Sequence, residues 1–164
     1  MQTQHLHTHY SKEVCQSFVQ LLYKKVFQKV LIPFSKENNN DRHKLKSNKG
    51  RKDNLINLLE YTYGDFEFNS YQIAASVYYT DLFLSHFAEK GFKFNFKFLK
   101  SIIIVSIITC HKMTCDVVYT NSTLKEYFHV DNLAELEMEY YEMVDYNINL
   151  PLKKIFEYLD LLTK

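Results

Sequence analysis

Apolar residues recur at helical spacing along most of the chain. Between residues 11 and 34 they share one face: Val14, Phe18, Leu21, Leu22 and Val26. Ser11 precedes this stripe as a candidate N-cap, and Pro33 ends it because proline cannot continue a helix. We therefore predict an N-terminal helix within residues 11–34.

From residue 54 to residue 163 the helical patterns follow one another closely. Polar residues suited to N-caps stand before successive apolar stripes: Asn69 or Ser70, Asn95, Asn121 and Asp131. Gly64 and Gly91 are candidate helix ends, because glycine readily adopts the left-handed conformation there. Pro151 is suited to the start of the last helix. These signals predict one helical domain over residues 54–163.

One segment of this domain is ambiguous by local rules. Six β-branched residues lie close together: Ile102, Ile103, Ile104, Val105, Ile107 and Ile108. Intrinsic propensity alone predicts a strand for them. A lone strand in a helical chain would have no partner, so we predict a helix that is apolar on all sides. Such a helix must lie at the centre of a bundle.

Two segments lack an apolar face. Residues 1–10 are polar and rich in histidine, and we predict a disordered tail there. Residues 36–53 hold seven Lys or Arg and one apolar residue, so we predict a flexible basic linker over residues 35–53. A basic segment is also suited to nucleic acid or to nuclear import, but no aromatic residues are interleaved with its charges. We therefore favour a solvated linker and expect no nucleic-acid partner.

Composition and charge agree with an intracellular helical protein. The 164 residues include 46% apolar residues but only three Gly and two Pro, which excludes extensive disorder and does not suit a turn-rich β fold. Residues 1–53 carry a net charge of +7 and residues 54–164 carry −6. Three cysteines cannot all pair within the chain, and no secretory signal is apparent, so we expect a reducing intracellular location.

The sequence offers little for catalysis or for metal binding. It contains no GxSxG, GxxxxGK or HExxH motif. His5, His7 and His9 alternate, but no carboxylate accompanies them; the CHKMTC segment at residues 110–115 lacks a second pair of ligands at zinc spacing. We expect no enzymatic activity, no metal and no cofactor.

A surface feature remains. The predicted central helix ends with Lys112 followed by Met113, and the helix after residue 131 contains Glu137. A cation is favoured at the C-terminus of a helix. If Lys112 and Glu137 lie side by side at the rim of the bundle, they offer one donor and one acceptor to a partner. An ordinary exposed ion pair of little energetic value is the alternative.

Residues 110–121, CHKMTCDVVYTN, resemble the cyclin-box segment of P-type (phosphate-regulon) cyclins, which reads A-[SA]-K-F-x-[DE]-D-x-x-[YF]-x-N. The matching positions are Lys112, Asp116, Tyr119 and Asn121. A second segment, LAELEMEYYEMVDYNINL at residues 133–150, resembles the fifth helix of the cyclin box and matches it at Glu137, Tyr140, Asp145 and Tyr146. The resemblance covers about residues 54–163.

The chain departs from the family pattern at several positions, which are Cys110, Met113, Cys115 and Ala134. The spacing before the fifth helix is about two residues short, so Glu139 is an alternative equivalent of Glu137.

The resemblance implies an all-α fold: a five-helix cyclin-box bundle around a buried central helix, joined by the N-terminal helix. It also implies a regulatory subunit that binds and activates a cyclin-dependent protein kinase without catalysing a reaction itself. Lys112 and Glu137 would form the central contact with the kinase, and Met113 and Tyr141 would add apolar contact. The departures from the pattern favour an alternative, a cyclin-fold structural subunit of a larger assembly without kinase activation.

Overall fold

A computed structural model describes residues 12–30 and 41–163. They form seven α-helices: α1 Lys12–Val30, α2 Asp41–Asp65, α3 Ser70–Glu89, α4 Phe96–Thr114, α5 Asn121–Phe128, α6 Leu133–Met143 and α7 Leu152–Thr163. No strand occurs in these residues. The predicted all-α class is confirmed, and the finer prediction of a five-helix cyclin-box arrangement stays a prediction.

Helix α4 contains the isoleucine-rich segment, and this part of the helix is buried on all sides. Every side chain from Ile102 to His111 is buried. Helix α3 packs along α4 and also against α7, while α6 contacts both α3 and α4. Burial of each large aliphatic side chain contributes about 1.5–3 kcal/mol, which outweighs the small cost of β-branched residues in a helix. The prediction of a buried apolar helix here is confirmed.

Side-chain caps set the starts of the helices that frame this core. Asn69 Oδ1 accepts the backbone N–H of Gln72, and Gln72 Oε1 accepts the backbone N–H of Asn69, each at 2.9 Å. Asn95 Oδ1 accepts the backbone N–H of Phe98 at 2.8 Å. Both predicted caps are therefore formed. Two others differ by one residue, because Thr120 caps α5 and Asn132 precedes α6.

The predicted helix ends are right at one glycine and wrong at the other. Gly91 follows α3 with a φ of 80°, the left-handed conformation expected there. Gly64 instead lies inside α2, which continues to Asp65. The left-handed residue after α2 is Glu67, with a φ of 52°. The turn is displaced because Phe68, the residue after Glu67, is buried in the core.

The predicted flexible linker is wrong over residues 41–53, which form the first half of α2. Lysine and arginine are good helix formers, and no proline interrupts this stretch. Two of the basic side chains also pack on aromatic rings of neighbouring elements: Arg51 lies 5.8 Å from the centre of the Phe96 ring, and Lys52 lies 4.8 Å from that of Tyr23. The predicted domain boundary at residue 54 therefore falls within a helix. The predicted tail at residues 1–10 and the Ser11 cap lie outside the described residues.

The three cysteines occupy different environments. Cys15 in α1 and Cys110 in α4 are buried, and Cys115 at the end of α4 is half-buried. Burial raises the pKa of both the Cys15 and the Cys110 thiol to about 12. Both buried thiols therefore remain protonated at neutral pH and behave as small core residues.

Candidate functional site

The last turn of α4 and the middle of α6 bring Lys112 and Glu137 together. Lys112 Nζ donates to Glu137 Oε1 at 2.9 Å and to Glu137 Oε2 at 2.8 Å. The Lys112 side chain is 26% exposed and that of Glu137 is 8% exposed. The pair therefore lies at the rim of the core, where the C-terminus of α4 favours a cation. The predicted juxtaposition of these two residues is present in the structure.

A third residue completes the surroundings of the ammonium group. Asn121, the first residue of α5, accepts a hydrogen bond from Lys112 Nζ at 2.7 Å. The ammonium group therefore donates both to the Glu137 carboxylate and to the Asn121 amide oxygen. The alternative residue, Glu139, is exposed and lies outside this arrangement. The register of α6 thus assigns the ion pair to Glu137.

The apolar residues expected beside the ion pair differ in exposure. Met113 follows Lys112 directly and is 44% exposed. Tyr141 lies one turn after Glu137 and is half-buried, with its hydroxyl 3.2 Å from Thr109 Oγ1. Thr109 Oγ1 donates to Val105 O, so the Tyr141 hydroxyl is the donor to Thr109. Met113 is therefore the residue of this pair that is more accessible to a partner.

The other residues at motif positions lie in the core or in loops, away from the ion pair. Tyr140 is buried, and its hydroxyl donates to Ser101 Oγ at 3.0 Å. Asp145 and Tyr146 follow α6 with φ values of 51° and 56°, so two successive left-handed residues reverse the chain after the helix. Neither lies in the Lys112 contact set. Asp116 is exposed in the loop between α4 and α5.

His111 anchors this loop, a role that the sequence did not indicate. His111 Nε2 accepts the backbone N–H of Tyr119 at 3.0 Å, and the two rings stack with centres 4.9 Å apart and an interplanar angle of 17°. Because Nε2 is the acceptor, the imidazole must be neutral with its proton on Nδ1. Burial, and then the charge of Lys112, lowers the pKa of His111. The neutral histidine holds the loop that carries Asn121 to Lys112.

Both cysteines of the CHKMTC segment are hydrogen-bonded to Gln72, whereas its histidine binds the following loop. Cys110 Sγ donates to Gln72 O at 3.1 Å, His111 binds the loop as described, and Cys115 Sγ accepts from Gln72 Nε2 at 3.4 Å. Within residues 12–30 and 41–163, no three His, Cys, Asp or Glu side chains are grouped so as to hold a metal ion. In the same residues, no helix is long and apolar enough to cross a membrane.

The site consists of an ion pair, an amide and an exposed methionine. No protein-family model, no curated protein and no solved structure matches the chain. The cyclin resemblance therefore stays a prediction that rests on residues 110–121 and 133–150.

Proposed function

We propose that this protein is a cyclin-like regulatory subunit that binds and activates a cyclin-dependent protein kinase. The observation that supports this best is the pairing of Lys112 with Glu137 at the rim of the buried helix α4. Both residues occupy motif positions in two segments that resemble the cyclin box. Met113 follows Lys112 directly in the chain, and its side chain is exposed.

Preorganisation of the pair supports binding to a partner. Lys112 and Glu137 are fixed by mutual hydrogen bonds and by Asn121, so their ordering adds little entropic cost on association. Because the Glu137 side chain is 8% exposed and that of Lys112 is 26% exposed, Lys112 is the more accessible member of the pair. In this proposal the protein performs no chemistry, and it activates the kinase by binding one of the kinase's two conformations more tightly.

A second candidate is a cyclin-fold structural subunit of a larger assembly that does not activate a kinase. One specific observation favours it: the Lys112 ammonium group already has two partners within the chain, the Glu137 carboxylate and the Asn121 amide oxygen. With these partners in place, the ammonium group has little capacity left for an acceptor on a kinase. The departures at Met113, Cys115 and Ala134 point in the same direction.

The two candidates are separated by the composition and activity of the native complex. We would purify the tagged full-length chain from its own cells, identify the bound subunits by mass spectrometry and assay phosphorylation of a model substrate. A kinase catalytic subunit in stoichiometric amount, together with activity that depends on this chain, is expected for the leading proposal. A stable complex that consistently lacks a kinase would support the second candidate and contradict the first.

A surface variant locates the contact without disturbing the ion pair. Because Glu137 is nearly buried, replacement of Lys112 would alter folding as well as binding, so the exposed Met113 is the better test position. Met113→Glu should lower recovery of the kinase by about tenfold or more, as expected for a central contact residue. The matched control is Leu152→Glu on α7, which is also exposed. Equal recovery with both variants would contradict the proposed interface.

A further inference from the structure

A cavity between the end of α2 and α5 has no assigned role. It has a volume of about 90 Å³ and opens to solvent, and its walls are Asp65, Phe66, Tyr119, Thr123, Leu124 and Tyr127. The residues come from the end of α2 and the turn that follows it, the loop before α5, and α5 itself. This volume is well below that of pockets for drug-sized ligands and suits only a small chemical group.

Three aromatic rings form much of the wall. The centre of the Phe66 ring lies 5.4 Å from that of Tyr119 and 5.2 Å from that of Tyr127, with interplanar angles of 59° and 52°. The rings are thus tilted against one another around a concave surface. Both tyrosines are partly exposed at the opening, and Phe66 is half-buried behind them.

A carboxylate adjoins these rings. Asp65 Oδ2 accepts a hydrogen bond from the Tyr127 hydroxyl at 2.6 Å. Burial, and then the Asp65 carboxylate, raises the pKa of Tyr127 to about 12, so the hydroxyl remains the donor in this hydrogen bond. The hydrogen bond orients the carboxylate beside the ring without neutralising it.

The described part of the chain supplies no cation to this cavity. Its ion pairs are Lys112 with Glu137 and Lys154 with Glu157, so Asp65 has no basic partner there. In the same residues, the cations that lie over aromatic rings are Arg51 and Lys52, which contact Phe96 and Tyr23. Helix α2 also has no basic residue in its last turn, where a cation would be favoured.

We propose that this cavity binds an organic ammonium ion that carries methyl groups. The faces of aromatic rings attract cations, and cages of such rings recognise quaternary ammonium groups. A methylated ammonium group loses little hydration when its methyl groups contact the rings. An unmodified lysine ammonium is strongly hydrated, so the same contact would cost more free energy. Asp65 adds the opposite charge. The group is either a free quaternary ammonium, such as choline, or the side chain of a methylated lysine. This proposal does not depend on kinase regulation.

The test compares choline with 3,3-dimethylbutan-1-ol, a neutral molecule of the same shape. Both are titrated into the full-length protein, and binding is followed by calorimetry and by shifts of the aromatic NMR signals. We expect saturable binding of choline and binding of the alcohol at least about tenfold weaker, because a desolvated cation gains about this factor over aromatic rings. Equal binding of the two molecules, or no saturable binding of choline, would overturn the proposal.

Peptides distinguish the two sources of the ligand. A short peptide with trimethyl-lysine is compared with the same peptide carrying unmodified lysine and with choline. Tighter binding of the trimethylated peptide than of choline indicates a modified protein as the ligand, and equal binding indicates a free ammonium compound. Both results agree with the proposal. Preference for the unmodified peptide would contradict it.

Two variants of cavity residues and one control variant test whether choline binds in this cavity. Asp65→Asn should weaken choline binding about fivefold through loss of the charge, and Tyr119→Leu about threefold or more through loss of a ring. The matched control, Glu126→Gln, removes one charge from an exposed position of α5 that does not line the cavity. Circular dichroism verifies the helical fold of each variant. Unchanged binding in Asp65→Asn, or an equal loss in Glu126→Gln, would refute the assignment.

Discussion

Lys112 Nζ lies within 2.9 Å of both carboxylate oxygens of Glu137, although 25 positions separate the two residues along the chain. One comes from the end of the buried helix α4 and the other from α6. The ion pair therefore ties the register of α6 to the position of α4. It also links the stability of the fold to the geometry of the candidate binding surface.

Loss of the cation should destabilise the protein more than loss of both partners. Lys112→Met leaves the carboxylate of Glu137 nearly buried without its partner, which should lower the free energy of unfolding by about 2–3 kcal/mol. The double variant Lys112→Met/Glu137→Met should recover much of this loss. Urea denaturation of the wild type, both single variants and the double variant measures the coupling. Additive losses would contradict a coupled pair.

Truncation within α4 should be among the most destabilising single changes. Ile107 is fully buried, so Ile107→Ala removes transfer energy and leaves a cavity, at a cost of about 3–4 kcal/mol. The control Leu161→Ala, on the exposed side of α7, should change the free energy of unfolding by less than about 0.5 kcal/mol. Similar losses for the two variants would argue against a central α4.

Stability should fall in mildly acidic solution because of His111. Its pKa is lowered from 6.5 in the folded chain, so the unfolded chain binds the proton more readily. The stabilisation is therefore present above about pH 6.5 and is lost as the pH falls towards the folded-state pKa. The His111→Asn variant does not titrate here, and its melting temperature should drop less than that of the wild type between about pH 7.5 and pH 5.5. Parallel decreases would exclude His111 as the cause.

The cap of α3 should make a measurable contribution. Asn69→Ala removes the side-chain oxygen that accepts the Gln72 N–H, and we expect a loss of about 1 kcal/mol in the free energy of unfolding. Asn57 provides a matched control, because it is an exposed asparagine in the interior of α2. Asn57→Ala should be neutral or slightly stabilising, since alanine is the better helix former. A thermal melt of both variants is sufficient for the comparison.

The sequence predicted the elements that follow from local chemistry. The caps at Asn69 and Asn95 and the helix end at Gly91 were predictable, because each depends on the properties of one side chain and its neighbours in the chain. The helix over residues 102–108 could be predicted only from the rest of the chain, because no other segment was predicted as a strand that could pair with it. The first half of α2 was missed because it has no apolar stripe. It is helical because it continues the packed half of the same helix after residue 54.

The candidate site was only partly predictable. Motif positions and the dipole argument singled out Lys112 and Glu137, and the structure brings the two together. The role of His111 depends on a hydrogen bond from a loop eight positions later, which no local pattern indicates. The aromatic cavity is less predictable still, since Phe66, Tyr119 and Tyr127 come from three separate segments. They become neighbours only because the end of α2 and the turn after it contact α5.

Because the three cysteines are buried to different extents, one of them is suited to selective chemical labelling. The thiolate is the form of cysteine that attacks thiol-directed reagents, and burial suppresses this form at Cys15 and Cys110. Cys115 is the most accessible of the three and follows α4 directly, three positions after Lys112. A maleimide fluorophore introduced under native conditions should therefore label Cys115 first, which would place an optical reporter beside the candidate interface without any engineered residue.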